Sequence, residues 1–565
     1  MRCFQADVLV IGGGASGLMA AYRAAKGGVS VVVAAKGELE RYGCSVMASG
    51  AIAGSGYWAQ EGDSPDLHFS DTVKGGAFLS EQGLVKRLAE TSPGLILEME
   101  SIGALWQREE DGQSYTLRID GGHSFSRCPY IEDRPGREML RVLRGELCKR
   151  HVTTIENLII TRLIRSEGHI AGAVGLDLTD ARPVLIRAKA VVLACGGAGM
   201  LYKNTSNPFG VTGDGFALAL QAGAELMDME FVQFYPLGFL FPPSLRGGVA
   251  GLTFYSHLRN SEGDRFMLHY DPQRGELSTR DLITRAILQE VREGRGGPLG
   301  GILMDMTHQE PGFIKRMQPA AFESYVKVGF DPEKEYLEVA PTCHFFMGGV
   351  RVDTGWSSTL PGLFVAGETG SGVHGANRLS QNALAELLVS GHYAGISASG
   401  FASENQFHPV DPAVAEESGA LAENLLSGGE GVRPLHLRGR LRELMWDKVG
   451  VFRTCEGLSQ ALKDLESIES ELPLQRAAQK SRVMNMELQE GIENYFLLQT
   501  ALCVTRSALL RTESRGAHYR DDHPDADDSR WLQHIVCQQS GGRLQDSLRP
   551  VDLCEIRPEG RGERL

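Results

Sequence analysis

A chain of 565 residues exceeds what one ordinary hydrophobic core supports, so two or three domains sharing an interface are expected. Hydrophobic residues at 42% and charged ones at 23% are globular proportions and exclude wholesale disorder. A net charge of −14 without a long basic run excludes an electrostatic grip on nucleic acid, so a small anionic ligand needs a locally positive pocket.

Met1 to Ala6 lead straight into a strand, leaving no room for a secretory or twin-arginine signal. Asp7 to Ile11 reads as a buried parallel strand, Leu18 to Ala25 as a helix and Val29 to Ala34 as a second strand, together a βαβ unit. Between strand and helix runs Gly12-Gly13-Gly14-Ala15-Ser16-Gly17, a G-x-G-x-x-G fingerprint in the context that makes it specific. Gly12 permits the tight turn, Gly14 lets backbone approach a pyrophosphate, and Gly17 lets helix pack on strand; Ala15 and Ser16 open the helix whose N-terminus meets the phosphates. The fingerprint does not choose between NAD and FAD. The acid expected after the second strand is absent, Ala34-Ala35-Lys36 standing there; Lys36 reads equally as a ribose or phosphate contact and as a surface lysine.

Ala190-Val-Val-Leu-Ala-Cys-Gly-Gly-Ala-Gly199 and Gly362-Leu-Phe-Val-Ala-Gly-Glu368 each read as a strand returning to the first sheet. Tyr235 to Cys343 is loop-rich, with Arg280 to Glu293 its best helix, and reads as an inserted cap. From about Val410 leucine, glutamate and arginine recur at helical spacing, and Leu435 to Met445, Glu456 to Leu472 and Asn485 to Leu510 read as a helical bundle. The polar tail after Ser540 is expected to be loosely held. The expected fold is α/β: a Rossmann-type FAD-binding domain over residues 1–234 and 344–409, interrupted by an α+β capping domain over 235–343 and followed by a C-terminal helical domain and tail over 410–565.

The longest apolar stretches, Val8 to Tyr22 and Ala190 to Tyr202, fall short of the roughly 18 residues needed to span a bilayer. The ten cysteines are scattered with no C-x-x-C pair, which fits reduced thiols and offers no spacing for zinc or an iron-sulfur cluster. The expected location is the cytoplasm, with membrane contact only peripheral and through partners.

Val211-Thr-Gly-Asp-Gly215, Asp228-Met-Glu-Phe-Val-Gln233, Pro341-Thr-Cys-His-Phe-Phe-Met-Gly-Gly349, Gly367-Glu-Thr-Gly-Ser-Gly-Val-His-Gly-Ala-Asn-Arg-Leu379, Asn382-Ala-Leu384 and Arg511-Thr-Glu-Ser-Arg-Gly-Ala-His518 occur in that order. In them the chain resembles the fumarate reductase, succinate dehydrogenase and aspartate oxidase flavoproteins over about residues 5 to 535. The resemblance implies FAD as cofactor, with Asp214, Glu368, Asn382, Ala383 and Leu384 against it and Ser45 and Gly50 in the loop that follows the second strand. It implies His344 and Arg378 as carboxylate clamps, Arg280 as proton donor, and His123, in Gly121-Gly-His-Ser124, as a second carboxylate contact or a loop histidine satisfied by backbone. A planar guanidinium suits bidentate carboxylate binding.

The departures are as specific. Where the family carries histidine, proline, threonine and glycine, this chain reads Tyr235-Pro-Leu-Gly238, and Tyr235 and Leu237 are expected to make room for a larger or less polar ligand. The family's threonine-glutamate and arginine-glycine-glutamate segment is replaced by Ser244-Leu-Arg-Gly-Gly-Val-Ala-Gly-Leu-Thr253. Covalent members attach FAD through a histidine where Arg41-Tyr-Gly-Cys-Ser45 stands, so noncovalent FAD is expected, with Cys44 a small buried residue. The resemblance implies hydride transfer between flavin and a carbon-carbon bond beside a carboxylate, with electrons from an iron-sulfur partner. An amino-acid oxidase and an electron-transfer subunit with a degenerate pocket stand as the alternatives.

Overall fold

The computed structural model describes residues 1–118, 121–131, 134–251 and 255–558. Strand β1 (Arg2–Ile11) runs into helix α1 (Ala15–Lys26) and strand β2 (Val31–Ala34), the βαβ unit read from the sequence. After β3 (Thr153–Ile155) a meander of β4 (Leu158–Ser166), β5 (His169–Asp177) and β6 (Pro183–Leu193) brings the chain back beside β1. The sheet order is β3-β2-β1-β6-β5-β4. The pairs around β1 are parallel, while β5 runs antiparallel to both its neighbours. Val8, Leu9, Val10, Val191, Val192 and Leu193 are fully buried, as strands covered on both faces require.

Helix α2 (Asp214–Ala222) and strand β7 (Glu225–Met227) precede β8 (Val232–Phe239), which starts a second sheet. It is completed by β9 (His257–Arg259), β10 (Ile302–Asp305) and β11 (Leu337–Phe346) in the antiparallel order β8-β11-β10-β9. Helix α3 (Arg280–Arg292) covers it through Ile283, Ala286 and Ile287, at the spacing of one helix face. Leu237 belongs to this core and is fully buried. It therefore makes no room for ligand, contrary to the sequence expectation, because it lies under the cap and not on a cleft wall. β12 (Gly349–Val350) and β13 (Leu363–Val365) follow, and β13 pairs in parallel with β6, so the second predicted return to the first sheet occurs.

Helix α4 (Asn382–Glu404) lies on α1, and small residues allow the approach: a Cβ on Gly391 would fall 2.5 Å from the Ser16 carbonyl oxygen. The bundle comprises α5 (Pro434–Lys448), α6 (Cys455–Glu471) and α7 (Met486–Leu510). Asn485 caps α7 by accepting from the Glu487 and Leu488 N–H groups. Beyond it, β14 (Gln533–Ser540) and β15 (Arg543–Pro550) form an antiparallel hairpin whose β14 pairs with β7. As far as Ile556 the segment after Ser540 is held, not loose: β15 satisfies its backbone along β14, and Gln82 binds the backbone of Glu555 and Ile556, while residues 559–565 lie outside the described ones. Among the described residues no helix is long and apolar enough to cross a membrane.

Two of the resembling segments meet as a buried clamp. Arg511 Nε donates to Glu230 at 2.6 Å and its Nη1 to Glu513 at 3.1 Å, while His534 Nδ1 lies 2.6 Å from Asp228 Oδ2. Truncating one partner of such a cluster leaves an uncompensated buried charge, the costly case for a folded protein.

Candidate active site

A cleft of about 1390 Å³ runs from the α1 N-terminus to the face of the cap. Of the cofactor residues expected from sequence, Gly12, Gly14, Ser16, Lys36, Ser45, Gly50, Asp214, Glu368, Ala383 and Leu384 line it, and Ala15, Gly17 and Asn382 do not. Gly12 sits at φ +122°, and a Cβ there would meet the Ala194 carbonyl oxygen at 2.1 Å; on Gly17 it would meet the Gly12 carbonyl oxygen at 2.1 Å. At Gly14 a Cβ would find only the Ser45 hydroxyl, at 3.2 Å. The first and last glycines are therefore needed by the chain's own packing against backbone, whereas the middle one is approached only by the Ser45 hydroxyl and faces the cleft at the helix N-terminus, where an anion is favoured. Ser45 Oγ accepts from the Ala15 N–H at 3.1 Å, so this donor of the first turn is satisfied within the chain.

Lys36 is neither a surface lysine nor a free contact. Its Nζ lies 2.7 Å from Asp214, 2.9 Å from Glu493 of α7 and 2.9 Å from the Thr212 hydroxyl. Burial alone would lower its pKa, but the two carboxylates raise it above the ordinary lysine value. Burial likewise acts to raise Glu493, yet Lys36 and Arg438 hold it below the usual carboxylate range. Glu368 has no such partner at contact distance among the described residues. Burial pushes it up to about 7, against the Phe346 N–H at 3.0 Å and the field of Arg378, so it seeks donors such as the hydroxyls of a ribose or ribitol. The side chain of Asn382 faces away from the cleft, with Oδ1 2.8 Å from His68 Nε2 and Nδ2 donating to Thr72 at 2.9 Å. Its neighbours Ala383 and Leu384 reach the cleft in the first turn of α4, where backbone N–H groups lack helical acceptors. An open cradle at Gly14, a helix N-terminus at each of two walls and an acid in want of donors fit FAD.

At the cap end, Arg280, Arg378 and His344 share the cleft although they come from α3, the loop before α4 and β11. Arg280 Nη2 donates to the Ser380 hydroxyl at 2.9 Å, its Cζ lies 5.1 Å from the Tyr235 ring centroid, and its buried Nη1 has no hydrogen-bond partner among the described residues. Arg378 Nη2 donates to Gln233 Oε1 at 2.9 Å, and Gln233 Nε2 returns a bond to the Arg378 carbonyl at 3.0 Å. His344 Nδ1 is 2.8 Å from Ser206 Oγ. Burial first, then the nearby Arg378 and Arg280, push its imidazole well below the ordinary value, so it is neutral. His123 does not line the cleft; it is buried, with Nε2 2.6 Å from the Ser380 carbonyl oxygen and Nδ1 3.4 Å from Arg127. The backbone-satisfied alternative describes it.

Sequence reasoning missed Ser380, Ser206 and Glu493. Ser380 stands directly after the Arg378-Leu379 pair, but nothing local marks it. Gln233 sat inside a resembling segment without a role. The replaced segment from Ser244 places Leu245, Gly248, Val249 and Gly251 on the cleft wall beside Tyr235 and Phe239, and Thr253 lies outside the described residues.

A family model described as FAD binding domain matches residues 7–384, and one described as fumarate reductase flavoprotein C-term matches residues 438–563. One subunit of the fumarate reductase (CoM/CoB) of Methanothermobacter marburgensis is 40% identical over 92% of this chain and 95% of its own length. The fumarate reductase flavoprotein of Mycobacterium tuberculosis is 33% identical over 99% of both chains. Among solved structures, an E. coli quinol fumarate reductase chain superposes with a TM-score of 0.91 at 31% identity, covering all of both chains. The chain belongs to the fumarate reductase and succinate dehydrogenase flavoprotein family of FAD-dependent oxidoreductases acting on CH–CH bonds.

Proposed function

We propose that the cap end of the cleft binds a small carboxylic acid and carries out hydride transfer at the carbon-carbon bond beside its carboxylate, as between fumarate and succinate or in a related, larger acid. The observation that carries this reading is the convergence of Arg280, Arg378 and His344 on the cleft that also holds the glycine cradle. FAD supplies or accepts the hydride when bound. Arg378 and neutral His344 hold and polarise the carboxylate, Arg378 being kept in position by Gln233 and His344 by Ser206. Arg280, anchored at Nη2 by Ser380, presents Nη1 as the N–H that protonates the second carbon. Tyr235 and Phe239 on the adjoining wall favour a substrate with an apolar or aromatic substituent over one with a second charged end. The relatives being fumarate reductase and succinate dehydrogenase flavoproteins favours this chemistry over amino-acid oxidation and over bare electron carriage.

FAD is held noncovalently in this reading. No histidine stands among residues 41–50, and burial, then the charge of Glu368, push the Cys44 thiol well above its ordinary value, which leaves it a poor nucleophile. The electrons come from an iron-sulfur partner, since the ten cysteines are scattered through the sequence with no C-x-x-C spacing to hold a cluster, and membrane contact is peripheral through such partners. The experiment is anaerobic reduction of the flavin followed by stopped-flow reoxidation with fumarate, its substituted analogues and aryl or alkyl enoates. Reoxidation by at least one is expected; none among them would overturn the reading.

A further inference from the structure

The outer edge of the cap sheet carries a second cluster of ligating side chains, apart from the residues that line the cleft. The register of β9 on β10 sets His257 opposite Asp305, and the turn after β10 brings His308 back over the same point. One potential ligand atom from each of the three lies within 4.8 Å of the others. The two imidazoles are stacked, with centroids 3.8 Å apart and planes 3° from parallel. Asp305 is buried and its carboxylate is already oriented: Oδ1 accepts from the Thr307 N–H at 3.0 Å and hydroxyl at 2.8 Å, and Oδ2 from Arg259 Nε at 2.8 Å. Such outer partners are what fix a ligating carboxylate, and of its roughly four acceptor sites one remains for a cation, on Oδ2, the oxygen that also pairs with Arg259. His308 is exposed, so an ion can enter from solvent with a small ring rotation; its Nε2 now contacts Gln309 Nε2 at 2.9 Å.

We propose that His257, Asp305 and His308 form a binding site for a borderline divalent transition metal, zinc foremost, with water completing the coordination. Two imidazoles and one carboxylate are a donor set that zinc, cobalt and nickel accept and that magnesium and calcium, which prefer oxygen, do not. Occupancy staples the edge strand β9 to β10. It also steadies the adjacent cleft wall, because Gln309 Nε2 donates to the carbonyl of Tyr255 at 2.7 Å and Tyr255 lines the cleft.

The test uses the FAD-loaded protein after removal of metals with a chelator. Zinc stoichiometry and affinity are measured by competition with a chromophoric chelator for wild type, His308→Ala and His257→Gln, with the flavin spectrum recorded to show that each variant is folded and loaded. Wild type should bind one more equivalent than either variant, or bind that equivalent at least tenfold more tightly. It alone should gain thermal stability on adding zinc. Any background from the ten cysteines is common to all three proteins. Equal stoichiometry and affinity in the three, or no zinc held by wild type at micromolar free metal, overturns the proposal, and neither result bears on the chemistry of the flavin cleft.

Discussion

Arg280 and Ser380 are joined by a 2.9 Å hydrogen bond from guanidinium Nη2 to hydroxyl, across the gap between the cap helix and the flavin-side loop. The carbonyl of the same serine faces His123 Nε2 at 2.6 Å, so one residue fixes the arginine and ties its own loop to a buried histidine. The guanidinium is thereby oriented before substrate arrives, which is where positioned groups gain their advantage.

Arg280→Lys should leave FAD bound and lower turnover by roughly 10²–10⁴-fold, because an ammonium cannot both reach Ser380 and present a second N–H. Ser380→Gly should cost about tenfold or less with the same flavin content. Arg378→Ala should instead weaken carboxylate binding and slow hydride transfer together. Stopped-flow reoxidation of the reduced flavin reads all three, and equal rates across wild type and variants would remove Arg280 and Arg378 from the chemistry.

Acid precipitation should release yellow FAD to the supernatant. Flavin remaining with the pellet would show a covalent bond and reopen the case for Cys44, on the cleft wall.

Gly14→Val and Gly17→Val should fail differently. A side chain at Gly14 crowds only the Ser45 hydroxyl and projects into the cleft where pyrophosphate would lie, so the apoprotein should keep its far-UV spectrum with at most a small loss of thermal midpoint while FAD is lost. At Gly17 the new carbon collides with backbone 2.1 Å away, so folding itself should suffer. Urea melts of the flavin-free proteins separate the two outcomes.

Lys36→Met should destabilise the protein by about 3–5 kcal/mol, since it takes the cation from the partly buried Asp214 and leaves the buried Glu493 with Arg438 alone. Glu493→Gln alone also takes a carboxylate from the buried Arg438, so the double variant should lose less than the sum of the two single variants. A double-mutant cycle by urea denaturation checks this, and strict additivity would show that Lys36 and Glu493 do not interact.

Glu368 sets a pH dependence on the FAD-free protein. Its carboxyl has a folded pKa of about 7 against an ordinary value of 4.5. Below the ordinary value both states are protonated and nothing is lost. As pH rises towards 7 the unfolded chain gives up its proton first, so stability should fall by roughly 3 kcal/mol. Glu368→Gln should flatten that slope and be the more stable protein at pH 8; parallel pH profiles would show that the carboxyl is not buried uncharged.

Local pattern was enough for the βαβ unit, the two later returns to its sheet, the cap helix read over Arg280 to Glu293 and found over Arg280–Arg292, and the three bundle helices, because strand runs punctuated by glycine and leucines at helical spacing declare themselves over short windows. The same holds for Gly12, Gly14 and Gly17, whose spacing encodes a turn. Tertiary packing decided what depends on which way a side chain faces. It turned Leu237 into the cap core, set Asn382 against His68 and Thr72, spent Lys36 on Asp214 and Glu493, and paired the polar tail with a hairpin partner docked on a strand from the first half of the chain. It also brought Arg280 to Ser380 and His257 to His308. Contacts of this kind join residues far apart in the chain, and each is fixed only once sheets and helices have settled on the faces they bury.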